Sequence, residues 1–463
     1  MTLIKSISGI RGIIYDDDSE GLSTIEITNC VKQFIMWINK KNPINNKIVA
    51  LGRDGRVSGA QICELIKSIL TSHGLNVLDL DLTTTPSVQL AIISENCVAG
   101  IMVSASHNPI SWNGLKFLNK SGEFLSKKNA LEVFNMEIDA QPTSINQGDV
   151  VKIDYKEKHI QSVLDLIDVD VQRIRSKGFR VVVDGINSSG GVYVPYLLKK
   201  IGVEVIEINC DANGQFAHNP EPLPDNLSEL ASTVTDNQAD FGIAVDPDVD
   251  RLVLVCEDGS FFGEENTIVV IAKYILQNYP GNSIVSNLST TRAVQDIAQE
   301  YNAQHFESPV GESNVVDLMK QKKSIIGGEG SGGIIFAPSH HGRDALVGIA
   351  LFLSYVSSVN YSVKQIKSLL PSYYMIKHKF VLQRDTHFEF SDFVNFKIKF
   401  CQNNKLNYTL IDGIKIYYQC GSWSHIRMSN TEPLIRLIVE SKSEERALEI
   451  KSLLIKEINI LST

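Results

Sequence analysis

Four segments concentrate side chains that can do chemistry. The first, VSASHNPISWNGLKF (residues 103–117), follows the apolar run CVAGIMV and carries Ser104, Ser106, His107, Asn108, Asn113 and Lys116. A serine beside a histidine suggests a nucleophile. The G-x-S-x-G elbow of a hydrolase is absent, however, and sequence neighbours seldom point at each other, so His107 is a poor base for Ser106. A polar turn broken at Asn108-Pro109 fits equally well. The second segment, IAVDPDVDRLVLV (243–255), alternates Asp246, Asp248 and Asp250 at the end of an apolar strand. Three such carboxylates repel one another unless a cation sits among them, and Mg²⁺ or Ca²⁺ is the natural resident. An EF-hand is excluded: its sixth position falls on Arg251 and its later positions on the strand LVLVC, although Glu257 falls at the twelfth. The set suits Mg²⁺ shared with a phosphate oxygen, with Arg251 as an anion contact.

The third segment, IIGGEGSGGIIF (325–336), surrounds Glu329 and Ser331 with glycine. It lacks the G-K-[ST] of a phosphate-binding P-loop. A carboxylate and a hydroxyl on backbone that allows close approach suit sugar hydroxyls; a plain turn is equally compatible. His340, His341, Gly342, Arg343 and Asp344 follow, as part of the same site or as a surface loop. The fourth, SHIRMSNTEPLIRLIVE (424–439), places Arg427, Ser429, Asn430, Thr431 and Arg436 around a turn. Two guanidinium groups among hydroxyl and amide donors suit a phosphate cradle; turn hydroxyls with two surface Arg are the alternative, and the density of these residues in an acidic chain favours the anion site. Near the start, Arg11 lies in a Gly-rich loop and is a candidate active-site cation, whereas Arg53 and Arg56 read as structural ion pairs.

These loops need elements to hold them. KIVALGRDGR from Lys47, FRVVVDGINSSGG from Phe179 and NSIVSNLSTTR from Asn282 each read as strand, polar loop, then helix. The fold expected is α/β: three similar α/β domains in series, plus a smaller C-terminal α+β domain. Length alone, 463 residues, suggests about three domains. Turn signals and the motif order divide the chain at 1–150, 151–257, 258–370 and 371–463, the first boundary following the polar stretch Gln141–Ser144. After Pro371 the texture becomes strand-like, with a turn at Asp412-Gly413; a final helix has Ala447, Ile450, Leu454 and Ile458 on one face, and Ser441 with Glu444 as its capping box.

Composition bounds the function. Lys and Arg number 44 against 53 Asp and Glu, a net charge of −9, which argues against nucleic acid as a partner and makes each local Arg cluster informative. The longest apolar run, Ala345–Val356, is too short to span a bilayer, so no membrane partner is expected. Seven scattered Cys with no C-x-x-C, and an opening MTLIKSISGIRG without an apolar leader, read as reduced thiols in a cytoplasmic protein.

Taken together, the motifs resemble the α-D-phosphohexomutase family of phosphoglucomutases, phosphomannomutases and phosphoglucosamine mutases. SASHNP matches the family's phosphoserine loop, with Ser106 as the serine; Asp246-x-Asp248-x-Asp250-Arg251 its metal loop; Gly328–Gly332 its sugar loop; Arg427–Pro433 its phosphate loop. The resemblance implies four domains around a central cleft, three of them α/β with mixed sheets and the fourth a smaller α+β domain, with one loop contributed by each. It further implies Ser106 as phosphoryl carrier, Mg²⁺ held by the three Asp and the phosphoserine, and Arg11 and Lys116 as catalytic residues. Arg251, Glu329, Ser331, Arg427, Ser429, Asn430, Thr431 and Arg436 would bind a phosphorylated hexose and its bisphosphate. Texture such as SGIRG leans towards phosphoglucosamine mutase; phosphoglucomutase or phosphomannomutase comes next, then a non-catalytic sugar-phosphate binder or a simple Mg²⁺ phosphatase. The oligomer is expected to be a monomer or homodimer. Three positions depart from many relatives: Gly333 for His, with His340 or His341 as its replacement; Val249 for Gly; and Asn430 for Gly.

Overall fold

A computed structural model describes residues 3–7, 9–14, 21–43, 47–138, 147–381, 388–429 and 434–461. Three of its four sheets share one plan. The three recurrent segments form central strands, Ile48–Arg53, Arg180–Asp184 and Ser283–Asn287. Each runs parallel to the next strand on one side (Asn76–Leu82, Glu204–Ile208, Gln304–Ser308) and to a later one on the other (Ala99–Val103, Phe241–Val245, Ile326–Glu329). The later strand then turns back on an antiparallel partner: Trp112–Leu118, Leu252–Cys256 or Gly333–Phe336. The turns of these hairpins are residues 104–111, 246–251 and 330–332, so equivalent places in three repeats carry the first three chemical segments. Strands such as AGIMV, FGIAV and LVLVC are buried along their whole length, as unbroken apolar runs covered on both faces should be.

The first sheet has additions. Ile4–Ser6 and Gly9–Ile13 join its hairpin edge, setting Arg11 opposite Gly114. Val150–Lys152 joins the other edge beside Asn76–Leu82; the boundary read at 150 falls inside this strand, and Gln141–Ser144 lies outside the described residues. The fourth sheet is antiparallel throughout, in the order Tyr374–Val381, Leu434–Ser441, Trp423–Met428, Ile414–Tyr417, Asn407–Thr409. The closing helix, Glu444–Leu461, buries the four residues read from its periodicity. Its cap differs from the expectation: Ser443 Oγ accepts the Arg446 amide at 3.3 Å, while Ser441 Oγ accepts the Ser443 amide.

The helix Ala345–Ser358 is apolar on every side because it lies in a core shared by the second and third domains. The fourth domain keeps its own core. It meets the third through polar pairs: Lys415 with Glu307 (2.5 Å), Lys377 with Glu264 (2.6 Å) and His425 with Ser289 (2.9 Å). No described helix is long and apolar enough to cross a membrane. No disulfide links the seven cysteines, and five of them are buried.

Candidate active site

The nucleophile loop is held from outside itself. Ser106 adopts φ +49°, a left-handed conformation uncommon outside glycine. Ser104 Oγ accepts the Ser106 amide at 2.9 Å and donates to Asp54 at 2.7 Å. Arg56, 1% exposed, donates to the carbonyls of Ser106, Asn108, Pro109 and Trp112 at 2.6–2.8 Å while its Nε meets Asp54 at 3.1 Å. The ion pair expected of Arg56 therefore forms, and the same guanidinium fastens the whole turn. Arg53 pairs with Asp81 at 2.8 Å. Ser106 Oγ donates to Asp246 Oδ2 at 2.7 Å and lies 3.3 Å from His107 Nδ1. The two neighbours do approach each other, but burial, then Arg251 and Arg11, push the His107 pKa well below its ordinary value. Asn113 is structural, donating to Ser58 at 2.9 Å.

The Asp loop curls because Asp246 Oδ1 accepts the amides of Asp250 (3.1 Å) and Arg251 (3.2 Å). All three carboxylates are buried, and one oxygen of each lies within 4.8 Å of the others. Burial and repulsion from Asp250 and Asp248 push the Asp246 pKa well above the carboxylate range. Asp250 moves down despite its burial, because Arg343, Lys116 and Arg251 outweigh it. Lys116 Nζ lies 2.5 Å from Asp248 Oδ2 and 3.3 Å from Asp250 Oδ2, and Thr85 Oγ1 also donates to Asp248. Burial opposes the charge on Lys116, yet these two carboxylates prevail and raise its pKa. Asp248 Oδ1 and Asp250 Oδ1 are buried with no hydrogen-bond partner. Orphaned acceptors are costly in a native fold. With Asp246 and Ser106 Oγ they form an all-oxygen set that fits a hard divalent cation. Arg11 completes this side: its Nη1 donates to Asn108 Oδ1 at 3.1 Å, and burial and the neighbouring Arg251 lower its pKa.

In the glycine loop, Glu329 Oε1 accepts from Asn287 (2.7 Å) and the Gly311 amide (3.2 Å), and Oε2 from Arg343 Nη1 (2.9 Å). Ser331 sits half-buried at the turn. Neither histidine replaces a side chain at 333. His340 is 4% exposed; its Nε2 lies 3.3 Å from Gln89 Oε1, and burial pushes its pKa down to about 4. The charged neighbours of His341 are Glu123 and Lys320, not the Asp cluster. Ser87, His159 and Asp344 line up at 2.8 and 2.9 Å in the order of a hydrolase triad, but all are buried to 1% exposure or less, which leaves a substrate no access. They tie the first domain to the third. Arg343, by contrast, is within the site, so segment 340–344 is no surface loop.

In the fourth domain Arg427 and Arg436 stand directly opposite each other on adjacent strands. Like charges so placed repel; burial, and Arg436, lower the Arg427 pKa, and its Nε is buried without a hydrogen-bond partner. An anion beside Arg427 would satisfy that donor. The Ser429 amide donates to Leu434 O at 2.8 Å, closing the turn; Asn430 and Thr431 lie outside the described residues. Sequence reasoning missed Thr85, the reach of Arg56, and Glu312, whose Oε2 accepts from Arg343 Nε at 2.8 Å. Thr85 begins a helix in TTTP, a visible capping signal, but nothing local ties it to Asp248.

Comparison with known proteins agrees with this arrangement. Family models described as phosphoglucomutase/phosphomannomutase, alpha/beta/alpha domains I, II and III match residues 3–138, 157–259 and 264–373, and that family's C-terminal domain matches 394–457. A phosphoglucomutase/phosphomannomutase of Thermococcus kodakarensis is 32% identical over 453 residues, covering 97% of this chain and 96% of the relative. A phosphoglucosamine/phosphogalactosamine mutase of Sulfurisphaera tokodaii is 26% identical over 445 residues, 95% of each. A crystal structure of a phosphoglucomutase/phosphomannomutase family protein from Burkholderia thailandensis superposes with TM-score 0.85 at 22% identity, covering 99% of this chain and 97% of that one, a likeness of fold. With four domain matches in chain order over most of its length, the protein is an enzyme of the α-D-phosphohexomutase family.

Proposed function

We propose that the enzyme interconverts hexose 6-phosphate and hexose 1-phosphate through a phosphoserine at Ser106 and a hexose bisphosphate, with glucosamine phosphate as substrate. The observation that carries the reading is the 2.7 Å contact between Ser106 Oγ and Asp246, which brings a serine from one hairpin onto the carboxylate cluster of another. Asp246, Asp248, Asp250 and the phosphoserine would hold Mg²⁺. That ion, when bound, neutralises charge on the transferring phosphoryl group.

The chain's own residues account for the rest. Ser106 carries the phosphoryl group; its bond to Oγ breaks as one to a sugar hydroxyl oxygen forms, in line. Arg11 and Lys116 would serve charge stabilisation or proton transfer at the reacting group, with Arg251 as an anion contact. Arg427 and Arg436, with Ser429, Asn430 and Thr431, hold the phosphate that does not react. Glu329 and Ser331 take the sugar hydroxyls. After the first transfer the bisphosphate turns round, and its other phosphoryl group returns to Ser106. Both ends of the sugar thus use one cradle, which suits a pair of guanidinium groups better than a shaped pocket.

Glucosamine phosphate is favoured by the opening SGIRG texture and by the name of the Sulfurisphaera tokodaii relative. The name of the Thermococcus kodakarensis relative makes glucose and mannose phosphates the second reading. A coupled assay with glucosamine, glucose and mannose 6-phosphates, each primed with its bisphosphate, decides between them. Fastest turnover of glucosamine 6-phosphate is expected, and equal or zero activity on it rejects the preference. Intact mass should show one phosphate adduct after incubation with a bisphosphate, lost in Ser106→Ala.

A further inference from the structure

Gly333 has a visible reason to be glycine. A Cβ there would lie 2.3 Å from Cδ of Arg343, closer than any carbon contact tolerates. The volume beside the sugar loop that a side chain at 333 would occupy is already filled by an arginine from the following segment. That segment is held against the hairpin by a bridge between Ile335 and Arg343, so the side chain has little freedom to withdraw.

The guanidinium of Arg343 is engaged on all three nitrogens. Nη2 meets Asp250 Oδ2 at 2.7 Å, Nε meets Glu312 Oε2 at 2.8 Å and Nη1 meets Glu329 Oε2 at 2.9 Å. Two of these carboxylates belong to different working loops: Asp250 to the metal loop and Glu329 to the sugar loop. Asp250 is left with Oδ1 unpartnered, and Glu329 Oε1 is tied to Asn287 and Gly311. A planar fork with fixed N–H directions sets both carboxylates at one distance and angle; an ammonium, a point charge on a flexible stem, does not.

We propose that Arg343 is a positioning residue of the mutase reaction, which sets the metal-loop and sugar-loop carboxylates in a single register, and that Gly333 is the vacancy that admits it. The inference rests on the mutase reading for the reaction it serves, but not for its effect on the Asp cluster. Residues 333 and 343 thus act as a coupled pair.

The test uses full-length Arg343→Ala, Arg343→Lys, Gly333→Ala and the Gly333→Ala/Arg343→Ala double variant. Turnover and KM on the three hexose 6-phosphates, Mn²⁺ affinity by electron paramagnetic resonance, and thermal midpoints are measured for each. Arg343→Ala should lower kcat about 100-fold, the scale of a misplacement of about 1 Å, and weaken Mn²⁺ binding roughly tenfold. Millimolar guanidinium chloride should restore part of the kcat of Arg343→Ala, and urea should not. Arg343→Lys should recover little, and it carries the test if the alanine variant does not fold. Gly333→Ala should lower kcat in the parent and change it less than twofold in Arg343→Ala. A folded Arg343→Ala within twofold of the parent in kcat and Mn²⁺ affinity overturns the proposal, as do independent, multiplying effects at 333 and 343. If the parent turns over none of the hexose phosphates, the mutase reading fails, while Mn²⁺ affinity still decides what Arg343 does to the Asp cluster.

Discussion

The metal loop and the sugar loop occupy the same hairpin turn in successive repeats, yet they are built in opposite ways. The metal loop carries its own chemistry in three carboxylates and is curled by one of them, Asp246, while Lys116, Thr85 and Arg343 from other segments pair with the other two. Val249 takes φ +63° with its side chain fully buried in the core shared by two domains, and its carbonyl accepts the Ala345 amide at 3.2 Å. A β-branched residue held there costs about 1–3 kcal/mol, sustained by its surroundings. The sugar loop spreads glycine through 327–333 and imports charge from elsewhere. Gly328 and Gly332 have φ +155° and +82°, a Cβ on Gly330 would lie 1.9 Å from Glu265 Oε2, and Gly333 admits Arg343. The nucleophile loop is intermediate: the serine is its own, the rigidity that of Arg56. The lesson is that a loop poor in functional side chains can be shaped by those that fill its empty places.

The contrast can be broken most sharply at the metal loop. Asp248→Asn removes the charge that faces Lys116 and Thr85 and turns one of its two carboxylate oxygens into an amide donor, and kcat should fall roughly 1,000-fold with Mn²⁺ binding lost. Glu329→Gln should act mainly on KM. Steady-state kinetics on both variants check this; a kcat-dominated loss in Glu329→Gln would erase the distinction between the loops. Next comes the imported rigidity. Arg56→Ala strands Asp54 and four loop carbonyls, and should cost roughly 3–5 kcal/mol in urea unfolding, with Arg56→Lys intermediate.

A third effect is on the segment that delivers Arg343, where His340 is buried beside Gln89 and its pKa is about 4. In the unfolded chain an imidazole titrates near 6.5. Between those values the unfolded state binds the extra proton, so stability is lost as pH falls through that window, by roughly 3 kcal/mol, and no further below it. Urea midpoints at several pH values should show this slope flattened in His340→Asn; an unchanged slope would assign it elsewhere. The smallest effect is at position 249. Val249→Ala loses core packing but keeps the strained φ, whereas Val249→Gly loses slightly more packing and relieves the strain by about 1 kcal/mol. The usual order should therefore vanish or invert, with glycine no worse than alanine in thermal unfolding.

Much of this was legible in the chain. Strand–loop–helix starts follow from short apolar runs ended by polar loops, and the four-residue face of the last helix from periodicity, both local properties. The Asp cluster was legible because three like charges on alternate residues are unfavourable without a ligand. An ion pair at Arg53 was legible too, but its partner Asp81, the capping of the last helix by Ser443 and the surroundings of His340 and His341 were not, since each turns on which atoms come within reach.

The amino-acid sequence by itself determined the repeat of α/β units, the separate C-terminal domain and the residue types of the proposed phosphoryl-transfer chemistry. Each of these is written in spacing and composition over a few residues. Only the tertiary structure decided that Ser106 meets Asp246 across 140 residues, that Lys116 meets Asp248 across 132, and that Arg343 reaches Asp250 across 93. Such contacts depend on how buried strands and domains pack, and the charges they bring together are steady only where desolvation makes each one need a partner.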